Sequence, residues 1–167
     1  MRPLTVERNT YTNIMATGYY TINHVHRSFL RQAHYTSTKF PSSISEFDEC
    51  NLTPEYSDSF SAPFVGESKI KLGLKLESDI EIDANGTRLI IGEILEVFIE
   101  DDFIEEDGQI DLEQAKDICV TGLNQYSVVS KTEKIPYARV AEVPNFRGGK
   151  RPDNVVFDDC LLYTSPS

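Results

Sequence analysis

The chain has 167 residues, enough for one domain, and carries 27 acidic against 16 basic residues, a formal charge of -11. That balance excludes a protein whose main business is nucleic acid, since phosphate binding needs a basic surface. Forty per cent hydrophobic residues, including 9 Phe and 8 Tyr, exclude a disordered polyelectrolyte. No run is long enough to cross a bilayer and the opening MRPLTVERNT lacks the apolar stretch of a signal peptide, so a soluble, cytoplasmic protein with no membrane partner is expected.

In chain order, Thr5 can cap a helix over Val6 to Thr17, with Val6, Thr10, Ile14 and Met15 on one face and Gly18 placed to end it. Tyr19 to Val25 reads as a strand. Ser28 can cap a second helix with an apolar stripe of Phe29, Leu30 and Ala33, while Arg27 and Arg31 stay solvated. Ser43 to Glu46 has capping-box spacing, which predicts a short helix through Phe47. Asn51 to Ser68, with two prolines and many serines, reads as a long irregular connection.

Ile70, Leu72, Leu74, Leu76, Ile80 and Ile82 then alternate with Lys69, Lys71, Lys75, Asp79 and Glu81. This is the period of a strand with one buried and one solvated face. Asn85-Gly86 is the signal of a tight hairpin turn with both residues at positive φ. Leu89 to Ile99 is apolar on both faces, as in a central barrel strand, and Gly92 within it marks a bulge or the close approach of another backbone. Asp111 can cap a short helix through Asp117, and Ser127 to Val140 holds a last strand or two, with Pro136 confining any strand there to an edge or bend. Helices interleaved with antiparallel hairpins predict an α+β fold rather than a doubly wound parallel sheet.

Charge is unevenly spread. Residues 1–40 hold five bases against Glu7 alone, residues 41–120 hold 21 acids against 5 bases, and residues 121–167 are near balance. An anionic ligand would be drawn to the N-terminal segment, although pairing of those arginines with the acidic half explains the pattern equally well. A helix starting near Thr5 offers free N–H groups and a positive dipole end, to which Thr5, Arg8, Asn9 and Thr10 add donors of the kind a phosphate needs. Capped helices are common, so this signal is weak alone. Lys39 could neutralise a phosphate, but a solvated lysine is the commoner role.

Other motifs give way to plain readings. His24 and His26 share a face but have no evident third ligand, so no metal is assigned. Aligning Gly108 with the invariant glycine of a calcium loop puts Phe103 at the first ligand position, and the acidic run from Glu100 to Glu113 is read as a solvated loop. Cys50, Cys119 and Cys160 suit neither a disulfide framework nor zinc. Asn51-Leu-Thr and Asn85-Gly-Thr match the glycosylation pattern but lack a secretory context, and no P-loop, Rossmann fingerprint, GxSxG or CxxC is present.

The segment from Gln32 to Val65, with QAH-x-TS, SEFD, LTPEY and APFV in succession, resembles the corresponding segment of the flavin reductase-like, FMN-binding split-barrel family. The resemblance runs over roughly Met1 to Val140. It implies an antiparallel split β-barrel with short helices, FMN as cofactor, NAD(P)H as co-substrate, and a homodimer in the full-length form. It places the phosphate and ribityl chain near the segment resembling Arg2 to Ile14, with Thr10 as a typical contact and Arg2, Thr5, Arg8 and Asn9 beside it. The turn before the central strand makes Thr87 a candidate contact, where relatives can carry histidine, and Tyr126 resembles an aromatic that can cover the flavin ring. An ordinary packed tyrosine is an equally good reading of Tyr126. No catalytic acid–base pair is assigned, since the flavin carries the chemistry.

The same resemblance predicts a chain cut at both ends. Met1 matches an internal position, so the first strands of the barrel are expected upstream. Residues 1–140 then form a partial domain and residues 141–167 a disordered tail, whose last eight residues, Cys160 to Ser167, resemble translated adapter DNA. A barrel without its first strands leaves apolar positions of its central strand uncovered. The function expected is an FMN-binding oxidoreductase moving a hydride from NAD(P)H to flavin, and the alternative is a non-catalytic flavin-binding or interaction module, or an inactive fragment of the reductase.

Overall fold

The computed structural model describes residues 9–130 together with Glu133 and Ile135. Arg2, Thr5 and Arg8, the expected helix start, Pro136 and the expected tail lie outside them. The first element among the described residues is helix α1, Asn9–Thr17, closed by Gly18 at φ 73° with its N–H on the Ile14 carbonyl at 2.8 Å. Ile14 is buried, whereas Met15, expected on the same face, is exposed. Strand β1, Tyr19–Asn23, is shorter than the run expected to Val25; the His24 N–H still bonds Ile70 O at 2.9 Å, and beyond it His26 bridges to Asp117 instead of β4.

Helix α2, Leu30–Tyr35, follows a 3-10 turn at Arg27–Phe29. The cap is not Ser28: the His26 ring accepts the Ser28 N–H at 3.1 Å. Helix α3, Glu46–Glu49, is capped by the backbone of Ser45 without a side-chain bond. The capping box at Ser43 does not form, because Pro41 to Ile44 is already closed as a turn by the Ile44 N–H on Pro41 O.

The supposed irregular connection after Asn51 is an antiparallel hairpin of β2, Pro54–Ser57, and β3, Phe60–Val65. Pro54 takes the first position of its strand, where a missing N–H costs least. Thr21 Oγ1 donates to Pro63 O at 2.8 Å and the Val65 N–H donates to Asn23 Oδ1 at 3.0 Å, which ties this hairpin to β1.

The long hairpin of β4, Ile70–Ile82, and β5, Thr87–Ile99, dominates the molecule. The sheet order is β1-β4-β5, so β4 is central and β5, expected to be central, is an edge among the described residues. The turn joining them is not the two-residue form. Ile82 pairs with Thr87, Asn85 has no positive φ, and Gly86 alone takes φ 62° at the end of a four-residue loop.

Two bulges reorganise this hairpin. Leu76 pairs with Gly92 but Ser78 with Ile91, leaving Glu77 extra, and Gly73 pairs with Glu96 but Leu74 with Ile94, leaving Leu95 extra. An extra residue reverses which face the following side chains take. Ile70, Leu72, Leu74 and Leu76 therefore share a face with Asp79, Glu81, Ile90 and Arg88, while Ile80, Ile82, Leu89 and Ile91 continue the face of Lys71 and Gly73. The expected single buried face does not exist. At the base, Phe60 and Phe64 press on Gly73 and Phe64 stacks edge-on with Phe98 at 5.1 Å. At the tip, Ile80, Ile82, Leu89 and Ile91 are each at least 40% exposed.

Gly92 shows why a side chain is excluded there. A Cβ would lie 2.3 Å from Tyr20 Oη and 3.0 Å from the Lys75 carbonyl, so a tyrosine ring joins the close backbone, and Gly92, paired with Leu76, borders the bulge at Glu77. A further core of Phe29, Cys50 and Leu52 joins Val25, Ala33, Phe40, Phe47 and Val65. Burial there raises the Cys50 thiol pKa, aided by Glu46 and Glu49.

The expected helix from Asp111 is one turn only. Asp111 does cap it, accepting the Gln114 N–H at 2.9 Å, but Lys116 enters the left-handed region at φ 51° and closes it, with the Asp117 N–H on Leu112 O and the Lys116 N–H on Glu113 O. The next hairpin, β6 at Ile118–Gly122 and β7 at Gln125–Val128, begins earlier than expected. Among the described residues no helix is long and apolar enough to cross a membrane. These short helices and antiparallel sheets make the fold α+β.

Candidate functional site

A cleft of about 270 Å³ lies between α1 and the segment that follows α2, lined by Asn9, Thr10, Asn13, Thr36, Glu46, Phe47, Leu52 and Val65. Phe47, Leu52 and Val65 come from the Cys50 core and give it an apolar floor. A smaller recess of about 70 Å³ shares Asn9, Thr10, Thr36 and Glu46 and adds Thr38, Lys39 and Phe40.

Each wall has a local cause. Helix α1 turns Asn9, Thr10 and Asn13 inward at helical spacing. Asn9 Nδ2 donates to Phe40 O at 3.5 Å, a long bond that links the two walls. Thr36 ends α2, with its N–H on Gln32 O and its hydroxyl donating to Ala33 O at 2.7 Å, so that hydroxyl offers a ligand its lone pairs. Lys39 is exposed at the rim. Glu46 and Lys39 are the charged side chains of the lining, one of each sign.

Of the residues singled out from sequence, Asn9 and Thr10 line this cleft and Lys39 joins them. Thr87 and Tyr126 are placed elsewhere. Thr87 sits in the β4–β5 turn, its hydroxyl donating to Asn85 Oδ1 at 2.6 Å. Tyr126, on β7, has its hydroxyl 2.7 Å from His34 Nδ1, with the rings edge-on at 5.7 Å. Asn13, Thr36, Thr38, Glu46 and Phe47 were not anticipated. Thr36 to Lys39 lies inside the segment whose pattern was most distinctive, so a polar Thr-Ser-Thr-Lys run after a short helix was the available signal.

The histidines have structural partners. His24 Nδ1 is 2.7 Å from Asp117 Oδ2, which is nearly buried, and this pair with the Ile118 N–H on Val25 O joins the end of β1 to the start of β6.

Residues 4–112 match the family model of the Flavin reductase like domain, well over half of the chain. A proposed flavin reductase with a split barrel domain from Shewanella frigidimarina is 44% identical, with a TM-score of 0.76 over 78% of this chain and 66% of that one. Flavoredoxin of Desulfovibrio vulgaris is 27% identical, with a TM-score of 0.67 over 78% of this chain and 69% of its own. An uncharacterized protein of Aquifex aeolicus is 27% identical over 119 residues, 71% of this chain and 60% of the relative, so the chain spans about three fifths of that relative's length. With the antiparallel split-barrel architecture and a family model that matches most of its length, this chain belongs to the flavin reductase-like domain family.

Proposed function

We propose that the chain binds FMN, with the phosphate and ribityl arm in the cleft between α1 and Thr36 to Lys39, and that it serves as an NAD(P)H:flavin oxidoreductase working as a homodimer. The observation that carries this reading is the convergence of Asn9, Thr10, Asn13, Thr36, Thr38 and Lys39, from two separate stretches of chain, on the cleft and the recess that shares its wall. The donor set fits the group. Amide and hydroxyl side chains suit a polyol and a phosphate, and the Lys39 ammonium supplies a positive charge at the rim. Glu46 suits ribityl hydroxyls, which can donate to its carboxylate, and opposes the phosphate, which places the phosphate toward Lys39. The volume lies just below the usual range for a whole small-molecule site, as suits the arm of the ligand rather than its ring.

FMN supplies the redox chemistry, acceptance of a hydride at N5 from NAD(P)H. In this reading Asn9, Thr10 and Lys39 anchor the phosphate end, with Arg2, Thr5 and Arg8 as further anchors and Thr87 and Tyr126 near the ring, and Phe47, Leu52 and Val65 exclude water beneath the arm. Titration of the protein into FMN tests binding through quenching of flavin fluorescence, and NADH or NADPH oxidation with excess FMN tests turnover. Saturable quenching with nicotinamide oxidation supports the full reading. Quenching without oxidation reduces it to a flavin carrier, and no quenching overturns it.

A further inference from the structure

Helix α1 forms one wall of the cleft, and its described residues, Asn9–Thr17, are fixed in place by what they touch. Ile14 is its buried residue. On an adjacent face Tyr11 reaches the tip of the β4–β5 hairpin, 68 residues away in sequence, where its hydroxyl donates to Asp79 Oδ2 at 2.7 Å. The same carboxylate receives Arg88 Nε at 2.6 Å on Oδ1 and 2.9 Å on Oδ2. Arg88 in turn lies over the Tyr11 ring at 5.4 Å from its centroid, close enough for cation–π attraction. Its remaining arm reaches Glu81 at 3.2 Å. The three groups thus form a closed triangle in which each touches the other two.

We propose that Tyr11, Asp79 and Arg88 act as a latch that holds α1 against the hairpin tip, so that Asp79 and Arg88 are positioning residues for the flavin cleft although neither lines it. The proposal rests on the flavin reading above. The β-bulge at Leu76 to Ser78 is what makes the latch possible. Were Glu77 paired in the ladder rather than extra, alternation along β4 would turn Asp79 to the other face of the sheet, away from α1. The Asp79 and Arg88 side chains are 15% and 19% exposed, a degree of shielding that lets a paired charge act more strongly than on an open surface. The latch works through geometry: Asn9, Thr10 and Asn13 share a rigid helix with Tyr11, so a helix that tilts or frays carries all three away from Thr36 and Lys39.

The test compares Asp79→Asn, Tyr11→Phe and Arg88→Lys with wild type by hydrogen exchange of the amides of residues 9–17 and by FMN affinity. Asp79→Asn should speed exchange in α1, leave the β1–β4 ladder amides unchanged, and weaken FMN binding about three- to tenfold. Tyr11→Phe, and Arg88→Lys, which keeps the charge but not the planar stack, should fall between wild type and Asp79→Asn. The affinity loss from Asp79→Asn should also shrink in a Thr10→Val background, where the helix has already lost a contact to the ligand. Unchanged exchange in α1, or faster exchange with FMN affinity intact, overturns the proposal. If wild type takes up no FMN, the flavin reading fails and the positioning role with it, and the exchange data alone decide whether the latch exists.

Discussion

At the base of the β4–β5 hairpin, from Ile70 to Leu76, the face that carries Lys71 and Gly73 packs under Phe60 and Phe64. Toward its tip, from Ser78 to Ile82, that same face presents Ile80 and Ile82 to solvent, while the opposite face sets Asp79 and Arg88 against α1. The base is held by aromatic packing, whose strength scales with area and hardly varies with pH. The tip is held by a carboxylate, a guanidinium and a phenol, which depend on protonation. The bulge at Glu77 separates these regimes and lets one pair of strands serve both.

The largest effect should come from breaking the base. Phe64→Ala removes a fully buried ring that contacts Phe60 and Phe98, and should cost about 3–5 kcal/mol, read as the change in urea midpoint. Gly92→Ala, at the bulge between base and tip, forces a methyl group onto Tyr20 and to within 3.0 Å of the Lys75 carbonyl. It should cost about 1–3 kcal/mol, part of which returns in a Gly92→Ala, Tyr20→Leu double variant.

The tip should respond to acid instead. Hydrogen bonding to Arg88, joined by that to Tyr11, holds the Asp79 carboxyl below its ordinary pKa of 3.8. A carboxyl lowered on folding stabilises fully above its unfolded value, and that stabilisation is lost as pH falls through the folded one. The stability gap between wild type and Arg88→Met should therefore be widest near neutral pH and narrow below about pH 3.8, with denaturant midpoints at pH 6 and pH 2.5 as the check. Tyr11 shifts the other way, its pKa raised chiefly by the hydrogen bond to Asp79, so that bond weakens in acid as Asp79 protonates and is lost in alkali as the phenol ionises. The smallest effect should be at the open apolar face of the tip, where Ile91→Thr should alter stability by less than about 0.5 kcal/mol.

Much of the fold was legible because it is written in short-range pattern. Ile70 to Leu76 alternates as a strand must, Gly18 ends its helix, and the Gln32 to Val65 segment carried the family. The bulges were not legible, because sequence period counts residues while a sheet face follows hydrogen-bond pairs. One extra residue at Glu77 sends Ile80 to the face opposite Leu76 although both occupy even positions. The β2–β3 hairpin was missed because Pro54, Pro63 and the serines around them are loop residues by preference, and their strand pairing is imposed by β1 through Thr21 and Asn23. Asn9 and Thr10, which line the candidate cleft, were singled out from a weak helix-start signal and the family resemblance, whereas Thr36 and Thr38 depend on α2 bringing a distant turn opposite α1. That placement is tertiary, and the polar Thr-Ser-Thr-Lys run by itself does not show what it faces.

The central claim is that the cleft between α1 and Thr36 to Lys39 anchors the phosphate end of FMN. It is tested most directly by comparing FMN with riboflavin, which lacks the phosphate, in wild type and Lys39→Ala. One charge-assisted phosphate contact corresponds to about tenfold or more in affinity. Wild type should prefer FMN by at least about that factor, and Lys39→Ala should remove most of the preference. Equal affinity for the two flavins in wild type, or a preference untouched by Lys39→Ala, would contradict it.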